Sequence, residues 1–269
     1  MASFPDLPRF IADSRRLFIL TGAGCSTPSG IPDYRDAEGA WKRKQPVILQ
    51  AFMGSELTRK RYWARSLLGW RRFRHAAPNG AHRALARLEA AGKSALLVTQ
   101  NVDRLHQAAG SRDVLDLHGR LDLVRCMACE RRQSREEFQA RLEQLNPDWR
   151  ALEAAEAPDG DADLEDVDFS TFAVPSCPSC GGVLKPDVVF YGESVPRERV
   201  DTALAALDAA DAMLVVGTSL MVYSGFRFAE RAAASGKPIA AINLGRTRAD
   251  HLLALKAAQS CDAALAFLL

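Results

Sequence analysis

The chain has 269 residues, 48% of them hydrophobic, with 25% charged residues and a net charge of +2. That is enough for one large core, or for a large domain with a smaller appendage. The near-balanced charge argues against a specific nucleic-acid binder, although Arg-rich stretches at 59–65 and 71–74 leave local basic patches. No apolar run approaches the roughly 18 residues that span a bilayer. The first residues, Met1-Ala-Ser-Phe-Pro-Asp6, lack a basic start followed by an apolar segment, so no secretory signal is expected. A reducing, cytoplasmic compartment is therefore expected, where paired cysteines serve as metal ligands or redox sites rather than disulfides.

Residues 16–21 (RLFILT) form a short β-rich apolar run bounded by Gly22 and predict a buried parallel strand. Residues 36–77, rich in Arg, Trp and Phe, break the pattern and are expected to be helical. A helix over 79–91 ends at Gly92, and strands follow at 95–99 and 114–117. A second interruption, from about 121 to 183, contains four paired cysteines. Within it, 151–168 is acidic, with Pro158 and Gly160 at its centre, and is expected to be a long surface loop. The alternation then resumes: helix at 200–210, strand at 213–216, helix at 226–234 stopping at Ser235-Gly236, and strand at 239–244.

The cysteines stand as Cys126-Met-Ala-Cys129 and Cys177-Pro-Ser-Cys180. This spacing lets two sulfurs reach one ion from a tight turn, and zinc prefers four tetrahedral thiolates. Gly181-Gly182 suits the backbone turn of such a knuckle. The 47 residues between the pairs exceed the usual ribbon spacing, but loop-closure entropy grows slowly with length. Redox dithiols or unrelated buried cysteines are the alternative. A closed four-cysteine site has no open coordination position, so the Zn2+ is expected to be structural. Cys25 and Cys261 stand apart and read as small buried filler.

Strands alternating with helices predict an α/β fold. Its frame is a doubly wound (Rossmann-like) parallel sheet with helices on both faces, an inserted small zinc-ribbon domain and a helical insertion. The expected division gives residues 1–36, 78–120 and 184–269 to a nucleotide-binding domain. Residues 37–77 form the helical insertion of the small domain, and 121–183 its zinc-binding part.

Gly22-Ala23-Gly24 follows the first strand directly, where glycines let backbone N–H groups approach a phosphate. Thr27 occupies the place of the third glycine in G-x-G-x-x-G, so a plain strand-to-helix turn is the alternative. Ser26 to Arg35 is too rich in turn formers for a helix start and reads as a loop closing over a ligand, with Arg35 for charge. Gln100, Asn101 and Asp103 follow the 95–99 strand and suit ribose hydroxyls and a carboxamide; helix capping is the alternative for Asn101 or Asp103. Gly217, Thr218 and Ser219 end another strand, and Asn243, Leu244 and Gly245 a third. Open α/β sheets bind ligands off this carboxyl edge, so a binding edge is favoured over four independent caps. His118, after the 114–117 strand, lies on the same edge and can take a proton from a hydroxyl near neutral pH. A structural histidine is the alternative. His82 and His106, both in helical patterns, are competitors by type.

Together these motifs resemble the sirtuins, NAD-dependent protein deacylases. The resemblance runs through Gly22–Ser26 and Gly30-Ile31-Pro32-Asp33-Tyr34-Arg35, then Thr99-Gln100-Asn101-Val102-Asp103, His118-Gly119 and the paired cysteines. It continues through Lys185-Pro186-Asp187-Val188-Val189-Phe190-Tyr191-Gly192-Glu193, Gly217-Thr218-Ser219-Leu220 and Asn243. Arg61-Tyr62-Trp63-Ala64-Arg65, Gly69-Trp70, Ala157-Pro158-Asp159-Gly160-Asp161 and Val222-Tyr223-Ser224-Gly225 are similar to the class II branch.

The resemblance implies that NAD lies across the strand ends. Gly22, Ala23, Gly24, Ser26, Thr218 and Ser219 would hold the pyrophosphate region, and Asp33, Tyr34 and Arg35 would belong to the cofactor loop. Gln100 and Asn101 would hold the nicotinamide-side ribose. Ile31 and Asp103, with Val102 between the two motifs' polar groups, would line the carboxamide pocket. Asn243, Leu244, Gly245 and the backbone near Cys261 would hold the adenosine end, with Gly217 beside the phosphates. His118 would be the general base. The implied reaction removes an acyl group from protein lysine and gives nicotinamide, O-acyl-ADP-ribose and free lysine. Mono-ADP-ribosyl transfer at the same NAD site is the alternative.

The same resemblance implies that an acyl-lysine protein or peptide pairs as a strand with Val188, Val189, Phe190, Tyr191, Gly192 and Glu193 on one side and the segment after Ser219 on the other. Val222-Tyr223-Ser224-Gly225 departs from the family's commoner Val-x-Pro there. Tyr62 and Arg65, spaced i, i+3, share a helix face. In the branch acting on acidic acyl groups such a pair binds the acyl carboxylate, so acyl groups larger than acetyl are expected; a surface cation beside a core aromatic is the alternative. No membrane partner is expected, and a monomer is favoured.

Overall fold

Leu17, Phe18, Ile19 and Leu20 are fully buried one after another. Successive strand residues point to opposite faces, so a run of this kind needs cover on both. The computed structural model describes residues 5–42, 45–150, 155–156, 162–163 and 167–269. In chain order its first elements are α1 (Leu7–Asp13), β1 (Leu17–Thr21), α2 (Leu49–Gly54), α3 (Glu56–Phe73), α4 (Gly80–Ala90), β2 (Ser94–Thr99), α5 (Leu105–Ala108) and β3 (Val114–Asp116). There follow β4 (Gly119–Cys126), β5 (Arg132–Ser134), α6 (Arg135–Leu145), α7 (Pro147–Arg150), β6 (Ala155–Glu156), β7 (Ala162–Asp163) and β8 (Leu184–Val188). The chain closes with α8 (Arg197–Ala209), β9 (Ala212–Val216), α9 (Tyr223–Ala234), β10 (Ile239–Ile242), β11 (Leu255–Ala257) and α10 (Cys261–Leu265). Two compact units result. One comprises Met1–Arg43, Ala77–Leu117 and Val195–Leu269, the other Lys44–Ala76 and His118–Ser194.

The first unit is built on six strands in the order β11-β10-β9-β1-β2-β3, parallel at every pairing. Counted along this unit alone, that is the dinucleotide-binding order, reversing between β1 and β9. Side chains divide by the two-residue period. Leu17, Ile19, Leu214, Val216, Ala240 and Ile242 join one core with α1, α4 and α10. Phe18, Leu20, Met213, Val215, Ile239 and Ala241 join a second core with α8 and α9. Both faces of the sheet are therefore helix-covered, as the doubly wound expectation requires. Helix starts are fixed locally: the Asp6 side chain caps α1, and Asn79 caps α4 in a reciprocal capping box with His82.

The second unit holds a three-stranded antiparallel sheet, β5-β4-β8, packed on an aromatic core. Phe52, Tyr62, Trp63, Phe138, Phe172 and Phe190 are buried there. Arg135 is buried too. It donates to the Ser66 carbonyl at 3.1 Å and to Gln139 at 2.8 Å, with its guanidinium over the Trp70 ring at 4.9 Å. The Ser55 side chain caps α3, the longest helix of this unit among the described residues.

Several expected bounds shift. The strand expected over 114–117 ends at Asp116, and the one over 239–244 ends at Ile242. The helices expected from 200 and 226 begin at Arg197 and Tyr223. The helical expectation over 36–77 holds only for α2 and α3; Arg35 and Trp41 instead form an isolated antiparallel bridge. Most of the loop expected over 151–168 lies outside the described residues, and 155–156 pairs with 162–163 as a two-stranded ribbon. No described helix is long and apolar enough to cross a membrane.

Candidate functional site

In the first unit β1 runs into Gly22, and the chain turns there against the end of β9. The Gly22 N–H donates to the Val216 carbonyl at 3.1 Å and the Gly24 N–H to the Gly217 carbonyl at 2.8 Å. A Cβ on Gly22 would sit 2.6 Å from the Thr218 Cβ. Gly217 has φ +62, and a Cβ there would lie 2.3 Å from the Cys25 nitrogen. Glycine is required at this crossing because backbone meets backbone. A backbone left bare at a strand end is the cradle that a pyrophosphate needs, so Gly22 and Gly24, packed on Gly217, fit a dinucleotide. Residues Ala23–Cys25 and Thr27–Ser29 wind as short 3-10 turns, ended by Gly30 at φ +86.

The end of β2 reaches the same place. Gln100 donates from its side chain to the Thr21 carbonyl at 3.2 Å and to Thr218 Oγ1 at 2.9 Å. Asn101 donates from Nδ2 to the Gly22 carbonyl at 3.1 Å and to Ser26 Oγ at 3.0 Å. Ser26, predicted as a phosphate contact, is buried and donates to Asp103 Oδ2 at 2.7 Å. The other Asp103 oxygen accepts the Leu105 N–H at 2.9 Å. Burial raises the Asp103 carboxyl above its ordinary range, against those two hydrogen bonds. Val102 is half-buried between these groups, and Arg104 just beyond takes the left-handed φ of +65. That conformation costs a non-glycine residue about 1 kcal/mol.

The remaining predicted cofactor residues divide into two groups. Cys261 lies at the start of α10, with Sγ 3.6 Å from the Gly24 carbonyl, and its hydrogen bond to Cys25, together with burial, pushes the Cys25 thiol well up. The two cysteines read as separate filler are thus neighbours under the glycine loop. Ile31 is buried at that loop's far end. Asn243 donates to the Gly245 carbonyl at 2.9 Å, and Gly245 packs so closely on Ala37 that a Cβ would lie 2.4 Å from its carbonyl oxygen. Leu244 is exposed. Asp33 pairs with Lys42, Arg35 donates to the Gly39 carbonyl at 2.7 Å and stacks on Trp41, and the Tyr34 ring meets Trp41 edge-on. This cofactor-loop trio is therefore engaged locally. The Ser219 carbonyl accepts the Arg248 N–H at 2.8 Å.

Sequence reasoning named His82 and His106 only as rival bases and Thr99 only as part of a motif, and missed that they form, with Thr21, a buried polar layer beneath these residues. Two threonines closing otherwise apolar strands were the available signal. Cys25, His82 and His106 place ligand atoms within 4.8 Å of one another. They do not fit a metal. His82 Nδ1 accepts the Asn79 N–H at 3.3 Å, so the proton sits on Nε2, which faces Ser26 Oγ at 3.5 Å.

In the second unit His118 is half-buried, and its carbonyl accepts the Val189 N–H at 2.8 Å. Gly119, at φ +85, passes so near the Asp187 carbonyl oxygen that a Cβ would lie 2.1 Å from it. The start of β4 is thereby pinned to the end of β8. The predicted substrate segment is a strand only to Val188. Phe190 and Glu193 close a turn instead, the Glu193 N–H donating to the Phe190 carbonyl at 3.0 Å and the Phe190 N–H to Glu193 Oε2 at 2.9 Å. Tyr191 bridges Ile48 in parallel fashion, and Gly192 sits in the left-handed region at φ +77 against Gln50. Lys185, 1% exposed, donates to Glu193 at 3.0 Å. Tyr62 is buried edge-on to Phe52 and Trp63 and lies 5.3 Å from the Phe190 ring. Arg65, one turn on, is half-buried.

The four paired cysteines converge in the same unit, with all four sulfurs within 4.8 Å of one another. Cys126 and Cys180 sulfurs are 3.5 Å apart, and Cys129 and Cys177 sulfurs 3.8 Å. A tetrahedron of Zn–S bonds has sulfur edges of about 3.8 Å, so the cluster fits Zn2+. The two knuckles share one backbone: Glu130 N–H donates to the Cys126 carbonyl, Gly181 N–H to the Cys177 carbonyl, and both donors take positive φ, +59 and +73. Gly182 leaves room for the metal, since a Cβ would lie 2.9 Å from the Cys126 sulfur. Backbone N–H groups at Ser179 hold the Cys177 thiol down to about 6, and those of Cys129 and Ala128 lower Cys126.

Residues 22–224 match the model of the Sir2 family. A protein of Xanthomonas campestris pv. campestris (strain 8004), named NAD-dependent protein deacetylase, is 69% identical over 98% of this chain and 90% of its own. One of Bradyrhizobium diazoefficiens, named NAD-dependent protein deacetylase 2, is 67% identical over 98% and 96%. Among solved structures, a Sir2 complex with p53 peptide and NAD+ is 30% identical, with a TM-score of 0.76 over 96% of this chain and 93% of that one.

Two outcomes follow from this geometry. Replacing Cys177 by Ala should abolish stoichiometric zinc, read by atomic emission, and lower the thermal midpoint; a variant that keeps full zinc would refute a four-sulfur site. Burial lowers His82 to about 4 from 6.5. The unfolded chain therefore takes up this proton first, and stability should fall as pH drops from about 6.5 toward 4, by up to about 3 kcal/mol. His82→Gln should reduce that slope in urea titrations across this window, leaving the part that His106, also lowered by burial, contributes.

Proposed function

The chain belongs to the Sir2 family and is an NAD-dependent protein deacetylase, and from that premise we propose a finer reading of which residues act and on which acyl group. NAD supplies the ribose carbon that takes the acyl oxygen as nicotinamide leaves. Gly22, Ala23, Gly24, Thr218 and Ser219 hold the pyrophosphate. The bare glycine backbone at the switch point carries this assignment. Gln100 and Asn101 present amides at the ribose, and Ile31 and Asp103 receive the carboxamide. Asn243, Gly245 and the backbone at Cys261 take the adenosine. Asp33, Tyr34 and Arg35 form the loop over the cofactor.

His118 acts as general base toward the ribose hydroxyls. Its support is a backbone pinned on both sides, through the Val189 N–H and through Gly119, which fixes where the ring begins. The acyl-lysine peptide pairs with the segment from Val188 to Glu193. Zn2+ at Cys126, Cys129, Cys177 and Cys180 is structural. The thiol-rich cluster and six free cysteines support a reducing, cytoplasmic setting.

The protein is of the class II branch and accepts acyl groups larger than acetyl. Tyr62 supports this, because it is in contact with Phe190 of the proposed peptide segment and sits one turn from Arg65. A similar solved structure holds deacetylated p53 peptide with 3'-O-acetyl ADP ribose, and the corresponding product here is O-acyl-ADP-ribose.

His118→Ala should slow deacylation roughly 10²–10⁴-fold while NAD affinity, by calorimetry, stays near that of the parent. A variant as fast as the parent would remove His118 from the chemistry. In a panel of acetyl-, glutaryl- and lipoyl-lysine peptides read by mass spectrometry, the larger groups should turn over at least as fast as acetyl. Acetyl preferred by a wide margin would end that part of the reading, and a labelled protein acceptor without O-acyl-ADP-ribose would point to ADP-ribosyl transfer instead.

A further inference from the structure

His106, Thr21 and Thr99 form an unbroken polar chain that ends on the backbone of Asn101. His106 Nε2 lies 2.9 Å from Thr21 Oγ1. Thr21 Oγ1 donates to Thr99 Oγ1 at 2.8 Å. Thr99 Oγ1 accepts the Asn101 N–H at 3.1 Å. The two threonines are register partners across β1 and β2, so the sheet itself holds them face to face. All three side chains are buried, His106 at 1% exposure.

The directions follow from proton counting. A hydroxyl has one proton, and that of Thr21 goes to Thr99. What reaches Thr21 from His106 is therefore a ring N–H, which places the proton on Nε2. Nδ1 is then a bare lone pair, and it is buried with no hydrogen-bond partner among the described residues. A phenylalanine would fill this space without leaving a nitrogen unpaired, which is destabilising. The imidazole is useful here only for its other nitrogen. Burial, followed by the neighbouring His82, also drives the His106 ring well below its ordinary protonation range, so the donor tautomer is neutral throughout the working pH range.

We propose that His106 is a positioning residue: through Thr21 and Thr99 it fixes the Asn101 backbone, and so the angle at which the Gln100 and Asn101 amides meet the cofactor ribose. This rests on the reading of those two amides given under Proposed function. Asn101 is then held at both ends, by this chain through its N–H and by Gly22 and Ser26 through its side chain. The chain reaches Asn101 from below the sheet edge, and His106 itself touches no reacting atom.

Steady-state kinetics on the full-length zinc protein, with NAD and an acetyl-lysine peptide, tests the chain. Thr21→Val is nearly isosteric and removes only the relay oxygen; H106F removes the donor and keeps the bulk. Each should lower kcat/KM for NAD about tenfold, with the peptide KM unchanged; T21V, which leaves the buried His106 Nε2–H unpaired, should also lower the thermal midpoint. The double variant should be no worse than the weaker single one, because one chain is broken either way. H106Q, whose amide N–H can reach Thr21, should recover most of what H106F loses. Asn101→Ala is the control for the underlying reading: if it leaves kcat/KM for NAD intact, that reading fails and the relay with it. If N101A is impaired, then T21V at parental kcat/KM, losses that multiply in the double variant, or a matching rise in peptide KM each overturns the relay alone.

Discussion

The approach of two backbones at the switch point governs the first unit. A Cβ on Gly217 would lie 2.3 Å from the Cys25 nitrogen and one on Gly22 2.6 Å from the Thr218 Cβ, while one on Gly24 would press on the Gly217 backbone at 3.0 Å; Gly217 also takes a conformation that other residues adopt at a penalty. Side-chain repacking could not relieve the clash at Gly217, where the nearest obstructing atoms are backbone. Once the crossing exists, other placements follow. The Gln100 amide can span from the Thr21 carbonyl to Thr218 Oγ1 only because the ends of β1, β2 and β9 stand side by side. Gly225 in turn approaches that amide within 2.6 Å of a hypothetical Cβ, which ties the start of α9 to the same geometry. A ligand edge in a doubly wound sheet is thus less a set of reactive side chains than a shared elevation of strand ends.

Beneath that edge lies a layer of buried polar groups. Burial disfavours the charged form of its ionisable members: it lowers His82 and His106 and raises Asp103. With both rings neutral, the layer works through hydrogen-bond direction, set by single protons on Thr21, Ser26 and the two rings. Such networks are stronger in a low-dielectric interior, and any partner left unmade costs correspondingly more. The His106 Nδ1, unpaired among the described residues, is one such cost, and the left-handed Arg104 adds strain; they lie six and four residues after Gln100. Strain and unsatisfied polarity gather where geometry matters for a ligand.

Strands β1, β9 and β10 were legible because each is an apolar run buried on both faces, and the metal cluster because its spacing is chemically narrow. What escaped did so for identifiable reasons. Leu255–Ala257 is a three-residue edge strand carrying Lys256 outward, too short to show a period. Residues 36–42 look helical by composition, yet the chain there is held by Arg35 stacking on Trp41 and by the Asp36 side chain accepting backbone N–H groups. Glu130 takes the left-handed position that Gly181 takes in the other knuckle, so glycine counting marks one turn and not its twin. Thr21 and Thr99 look like ordinary strand ends until the register pairs them. Tertiary register is invisible to any reading of local pattern, and the site's supporting residues are encoded in it.

In the second unit one strand connects the metal to the proposed base. β4 begins at Gly119, directly after His118, and ends at the zinc ligand Cys126. Seven steps of about 3.3 Å from Gly119 to Cys126 place the two ends up to about 23 Å apart. Over that span a metal cannot polarise a group or share a proton, so its influence on His118 has to be mechanical. The route is the antiparallel ladder with β8: Cys126 pairs with Leu184 near the metal, and Gly119 pairs with Val188 at the other end. The ladder slips between Gly119 and Val124, so it is the two ends, rather than an even row of bonds, that hold the strand. Lys185, bonded to Glu193 and to the Val188 carbonyl, stiffens β8 where the turn toward Phe190 begins. A closed thiolate site suits this task, since it clamps one end of a strand without competing for ligands at the other.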